Sequence, residues 1–150
     1  MIHPEVTDLY HNYQKHTHTE LTKEQFITLL TFFPSVQVLT ADGKVDEEEQ
    51  FYLDHIARAM ANTFREELNN NFALLDLEAN YKKEIAFLIA NLPYWEAKFV
   101  YGLKLYLQTM PELKKVVIEV MYMFADASEQ VSENEQELIS NLKAELGIID

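Results

Sequence analysis

Residues 113–124 read Leu-Lys-Lys-Val-Val-Ile-Glu-Val-Met-Tyr-Met-Phe, and this stretch decides the fold class. Its apolar residues recur at intervals of three and four, which places them on one face of an α-helix. They are Leu113, Val116, Val117, Val120, Met121 and Phe124. With only 3 glycines and 4 prolines in 150 residues, the chain has little material for the turns of a β protein. The sequence therefore predicts an all-α protein, a single compact domain over residues 1–150 with about seven helices.

Capping signals predict where several of these helices begin and end. Thr22 with Gln25, and Asp46 with Glu49, have the spacing of a capping box, in which each side chain bonds to the other residue's backbone N–H. Gly147 stands where the last helix needs a residue that adopts a positive φ. The sequence therefore predicts helices that start after Thr22 and Asp46, and a last helix that ends at Gly147.

Other segments carry weaker signals. Pro34 disfavours helix at the residue before it, so we expect one helix to end there and a short new segment to cover residues 35–40. Residues 1–21 are polar and are expected to form a peripheral N-terminal segment. Residues 65–80 show little periodicity, and we expect a connection within them.

An acidic turn follows at residues 41–49, Ala-Asp-Gly-Lys-Val-Asp-Glu-Glu-Glu. Gly43 can adopt a positive φ without strain and reverse the chain. The carboxylates of Asp42, Asp46 and Glu49 can then point into one small volume. Because Ca²⁺ and Mg²⁺ prefer oxygen ligands, this turn predicts a cation site.

A second turn resembles the first. The pair Ala41-Asp42 recurs as Ala125-Asp126, and again an acid-rich helix start follows, at residues 131–136. Each pair ends an apolar helix. We therefore predict two pseudo-repeated helix–acidic turn–helix units.

The same acidic residues have a plainer interpretation. Carboxylates in the first turn of a helix interact favourably with the helix dipole, so both turns can be helix caps in a protein-interaction module. A metal-dependent carboxylate hydrolase is a further alternative, since close carboxylates can do acid–base chemistry. No phosphate loop, nucleophile elbow or His-Glu-x-x-His motif is present in the sequence, and we expect the protein not to be an enzyme.

Taken together, residues 41–49 and 125–135 resemble the paired motifs of the tellurite-resistance TerB-like family. The resemblance extends over residues 22–148 and implies an all-α fold with a metal site where the two turns approach each other. It assigns Asp42 and Glu49 from the first turn as ligands, with Asp126 and Glu135 opposite. In the second motif Ala127 replaces the usual glycine and the loop is longer.

Two further carboxylates are added from the residues themselves, one in each turn. The full set of predicted metal ligands is Asp42, Asp46, Glu49, Asp126, Glu129 and Glu135. The expected cofactor is a divalent cation: calcium, magnesium or zinc.

Charge and composition limit the partners. Twenty-five acidic residues against 12 basic ones give a formal net charge of -13, which repels nucleic-acid phosphates and anionic lipids. The absence of cysteine excludes thiolate chemistry and disulfides. No signal-peptide pattern and no apolar run of about 18 residues is present, so we expect a cytoplasmic protein without membrane insertion. The resemblance implies a non-enzymatic accessory or signalling role in a stress-response or membrane-associated protein assembly.

Overall fold

The computed structural model describes residues 3–41, 45–126 and 133–148, without the side chains of residues 123–126 and 133–135. Over these ranges the chain folds into a compact bundle of eight helices without β-strands. The helices are α1 (Pro4–Thr17), α2 (Lys23–Leu39), α3 (Glu47–Asn62), α4 (Arg65–Leu68), α5 (Asn71–Ala90), α6 (Leu92–Thr109), α7 (Leu113–Asp126) and α8 (Glu133–Glu145). The predicted fold class is confirmed at this level.

The N-terminal helix α1 belongs to the core, whereas residues 1–21 are predicted to be peripheral. Val6 and Tyr13 are fully buried, and Leu21 after the helix is buried as well. α1 packs mainly against α6. Only four residues of this polar segment form the buried face of α1. This explains why composition alone predicts a peripheral position for it.

Helix α2 is the central helix, and it continues through Pro34 instead of ending there. Every residue from Phe33 to Leu39 is buried. α2 packs against α3, α6, α7 and α8, and these contacts outweigh the one backbone hydrogen bond that the proline removes. The predicted separate segment at residues 35–40 is therefore wrong.

The predicted capping boxes at Thr22 and Asp46 are both present with their two reciprocal bonds. Gly147 has the expected positive φ of 72° after α8. The described helices outnumber the predicted seven because Arg65–Leu68 forms the short helix α4. After it, Asn70 caps α5 by accepting hydrogen bonds from the backbone N–H groups of residues 72 and 73.

A cluster of aromatic rings fills the core where α1, α2 and α6 meet. The Phe99 ring centroid lies 4.9 Å from that of Phe33 and 5.5 Å from those of Tyr13 and Phe26. Trp95, one turn before Phe99, lies edge-on to Tyr13. These rings join the N-terminal helices to the middle of the chain.

Among the described side chains, one carboxylate is buried inside the bundle. Glu84 on α5 is buried and accepts hydrogen bonds from the hydroxyls of Tyr13 and Thr19, both at 2.5 Å. The Thr19 oxygen in turn accepts from the backbone N–H of Leu21 at 3.2 Å. Glu84 thus joins α1 and the α1–α2 connection to α5.

Buried phenols make the fold sensitive to alkali, and Tyr13 and Tyr81 are the most strongly affected of them. Burial raises the pKa of Tyr13, which the charge of Glu84 and its hydrogen bond raise further; burial also raises the pKa of Tyr81. Since the unfolded-state pKa is about 10, both groups contribute stability fully below about pH 10 and lose it as the pH rises beyond. We expect the free energy of unfolding to fall above pH 10 by about 1.4 kcal/mol per pH unit for each phenol.

Urea unfolding between about pH 9 and pH 11 measures this dependence. Tyr81→Phe keeps the ring and removes one of these titrating groups, so its slope should be smaller than that of the wild type. An unchanged slope in this variant would contradict the assignment.

Candidate functional site

A groove of about 260 Å³ lies at the C-terminal end of the central helix α2. Residues from the end of α2, the start of α6 and α8 form its walls. They are Gln37, Thr40, Ala41, Leu92, Glu96 and Leu138. The groove therefore begins where the first acidic turn leaves α2.

The second acidic turn connects to the same region through α8. Leu138 is the sixth residue of α8, so the start of this helix lies within about two turns of the groove. At the other end of the helix, the Lys114 ammonium donates a hydrogen bond to the carbonyl oxygen of Gly147 at 3.2 Å. The start of α7 thus lies beside the end of α8. The end of α2 and Leu138 of α8 thus meet at one groove.

Of the six predicted ligands, Asp46 and Glu49 have described side chains, and they serve as a helix cap. The backbone N–H of Glu49 donates to the Asp46 carboxylate at 2.7 Å, and that of Asp46 donates to the Glu49 carboxylate at 3.1 Å. Asp46 is exposed. The capping interpretation is confirmed for this pair.

The other four predicted ligands lie outside the described residues or have side chains that do. Asp42 and Glu129 lie outside the described residues. Asp126 is the last residue of α7 and Glu135 the third of α8, with side chains outside the description. Among the side chains that are described, no three His, Asp or Glu residues form a group that could hold a metal ion. A metal site at this end of the bundle therefore needs the carboxylates of the two turns.

Besides Thr40, the groove contains two polar residues that were not predicted from the sequence, Gln37 and Glu96. Gln37 is only 4% exposed, and its buried amide oxygen Oε1 has no hydrogen-bond partner among the described residues. An unpaired buried acceptor costs about 1–3 kcal/mol, and amide oxygens are good ligands for hard cations. Glu96, on the surface of α6, adds a carboxylate at the groove wall.

A signal for Gln37 exists in the sequence. It is the one amide within the apolar run of residues 33–39, where every neighbour is suited to a core. A buried polar side chain in such a run normally has a hydrogen-bond partner or a functional role. Glu96 carries no comparable signal, because an exposed glutamate on a helix is ordinary.

Asp46 offers a way to separate its charge from its capping role. Asp46→Asn keeps an oxygen that accepts the Glu49 N–H, so the stability without cations should change by only a few tenths of a kcal/mol. Asp46→Ala removes the acceptor and should destabilise the fold by about 1 kcal/mol. Thermal unfolding in EDTA measures both.

A metal role for Asp46 requires a second result. The stabilisation by divalent cations should then be smaller in Asp46→Asn than in the wild type, although the cap is intact. Equal stabilisation in both proteins would leave Asp46 as a cap alone.

No family model, curated protein or solved structure matches this chain. Within the described part of the chain, no helix has the length and apolar character needed to cross a membrane.

Proposed function

We propose that this protein is a non-enzymatic, divalent-cation-binding accessory or signalling protein of the TerB-like kind. Its cation site lies where the two acidic turns meet, beside the groove at the end of α2. The observation that carries the proposal is that the end of α2, which leads into the first turn, and Leu138 of α8, which follows the second, line one groove with Gln37, whose amide oxygen has no hydrogen-bond partner among the described residues. In this proposal the turns belong to two pseudo-repeated units, and the cation joins them.

The chemistry of the groove supports a hard cation. Carboxylates from the turns, chiefly Asp42 and Asp126, would supply negative oxygen ligands, and the Gln37 amide would supply a neutral one. Glu49, Glu135 and the additional carboxylates of Asp46 and Glu129 complete the proposed set. A half-turn about the last side-chain torsion of Gln37 exchanges its oxygen and nitrogen with little change of shape, so either can face the groove.

Electrostatics favour the same class of ligand. The net charge of -13 makes the chain a poor receptor for an oxyanion such as tellurite and a good one for cations. Binding of a divalent cation between two like-charged turns would also remove their mutual repulsion and fix their relative position. We propose that a protein partner in a stress-response or membrane-associated assembly detects this change of local order.

Calorimetric titration with Ca²⁺, Mg²⁺, Mn²⁺ and Zn²⁺ tests the proposal. The wild type should bind at least one of these cations and gain thermal stability, and Asp42→Asn/Asp126→Asn should not. Glu66→Gln/Glu67→Gln on α4 is the matched control, because it removes two exposed carboxylates away from the groove and should bind as the wild type does. No binding by the wild type at millimolar cation would refute the proposed function.

Gln37→Leu is a more specific test, because we expect it to maintain or raise the stability of the cation-free protein and to lower its cation affinity. Removing an unpaired buried acceptor should leave the cation-free protein equally stable or more stable. If the amide is a ligand, cation affinity should fall in the same variant. Unchanged affinity would remove Gln37 from the site.

The second candidate function is a protein-interaction module whose acidic turns are only helix caps. The reciprocal bonds between Asp46 and Glu49 favour it, since they account for both carboxylates without a metal. In that case the four cations should stabilise the wild type and Asp42→Asn/Asp126→Asn equally.

A further inference from the structure

The outer face of α5 carries apolar side chains that no other part of the described chain covers. Phe72 is 81% exposed and Leu75 is 61% exposed. They belong to a stripe of exposed residues along the helix, here called the α5 stripe. Its members are Phe72, Leu75, Asp76, Ala79, Lys82, Lys83 and Ala86.

The α5 stripe is symmetric about Ala79. At about 100° per residue, all its members lie within about 60° of the direction of Ala79. The opposite face of the helix, with Leu77, Tyr81 and Leu88, is buried in the bundle. The stripe is therefore a continuous outer surface and not a set of scattered residues.

We propose that the α5 stripe is a homodimer interface, in which two copies of this chain pack their α5 helices antiparallel about a two-fold axis at Ala79. This register places Phe72 of one copy opposite the small Ala86 of the other. It also places Asp76 opposite Lys82, and Leu75 against the aliphatic stem of Lys83. Each contact occurs twice, as a two-fold interface requires.

Charge explains why a second copy fits this face. The chain as a whole carries -13, so two copies repel each other over most of their surfaces. The α5 stripe contains one acidic and two basic residues, and it is locally free of that repulsion. Lys82 also contacts Glu78 of its own chain at 3.4 Å, and its ammonium has three hydrogens to share with the second carboxylate.

The size of the contact sets the expected strength. A stable interface buries about 1,600 Å² in total, and a single helix pair provides less. We therefore expect a weak dimer that forms at high micromolar concentration and exchanges rapidly. This interface is separate from the groove at the end of α2, so it stands whether or not the protein binds cations.

Analytical ultracentrifugation at physiological salt tests the proposal. The weight-average mass of the wild type should rise with concentration from the monomer value of 17.6 kDa toward twice that value. Phe72→Asp should remain monomeric over the same range. Phe51→Asp is the matched control, since Phe51 is 57% exposed on α3 and outside the stripe, and it should associate as the wild type does.

The register is tested by mixing two charge variants. Asp76→Lys alone places lysines against lysines, and Lys82→Asp alone places aspartates against aspartates. Each should dissociate roughly tenfold more readily than the wild type. An equimolar mixture should associate again, because every cross-pair is then Lys with Asp.

Circular dichroism should show that all these surface variants are folded. A wild type that stays monomeric throughout, or a Phe72→Asp variant that still associates, would overturn the interface. A mixture that associates no better than its two components would overturn the antiparallel register.

Discussion

Glu84→Ala is expected to lower the free energy of unfolding by about 2–5 kcal/mol. The buried carboxylate accepts the hydroxyl hydrogens of Tyr13 and Thr19, and its removal leaves two buried donors without an acceptor. Each such unpaired group costs about 1–3 kcal/mol, and the lost side chain leaves a cavity as well. Urea denaturation at neutral pH measures the change.

Two control variants make the Glu84 result specific. Glu84→Gln keeps one acceptor oxygen and the side-chain shape, so it should lose about half as much stability as Glu84→Ala. Glu119→Ala removes an exposed helical carboxylate and should change stability by less than about 0.5 kcal/mol. If Glu84→Ala were as mild as Glu119→Ala, the carboxylate would not connect α1 to α5.

Phe99→Ala is expected to lower the free energy of unfolding by about 3–5 kcal/mol. Phe99 is fully buried and touches rings from α1 and α2. Alanine would leave a cavity that these rigid neighbours cannot fill by small movements. Because Trp95 is the chain's single tryptophan and lies in the same cluster, its fluorescence reports both unfolding and loosening of the core.

Phe72→Ala is the matched control at low micromolar concentration, where a weak dimer is dissociated. It makes the same substitution on a helix, but its ring is 81% exposed, so stability should change by about 0.5 kcal/mol or less. Similar losses in Phe99→Ala and Phe72→Ala would show that burial does not determine the effect.

Local signals predict much of this fold because they act over three or four residues. The capping boxes at Thr22 and Asp46 and the positive φ at Gly147 are all confirmed. Errors occur where distant contacts decide the outcome. Pro34 is accommodated inside α2 because other helices pack against α2, and no local pattern contains that information.

In the candidate site too, local contacts can be predicted from the sequence, whereas contacts between distant residues cannot. Spacing alone is sufficient to predict the bonds between Asp46 and Glu49. Glu96 cannot be predicted, since it joins the groove only through the packing of α6 beside α2. Glu84 is similar, because its partners Tyr13 and Thr19 are more than 60 residues away in sequence. Gln37 could have been found, as an amide within an apolar run.

Paramagnetic broadening of amide NMR signals by Mn²⁺ tests the proposed cation site most directly. At substoichiometric Mn²⁺, the amides of Thr40 and Ala41 at the end of α2 should broaden together with that of Leu138 in α8. The amides of Glu66 and Glu67 on α4, which are exposed but away from the groove, should keep their width at the same concentration. Broadening at α4 while Thr40, Ala41 and Leu138 remain sharp would contradict a cation bound between the two turns.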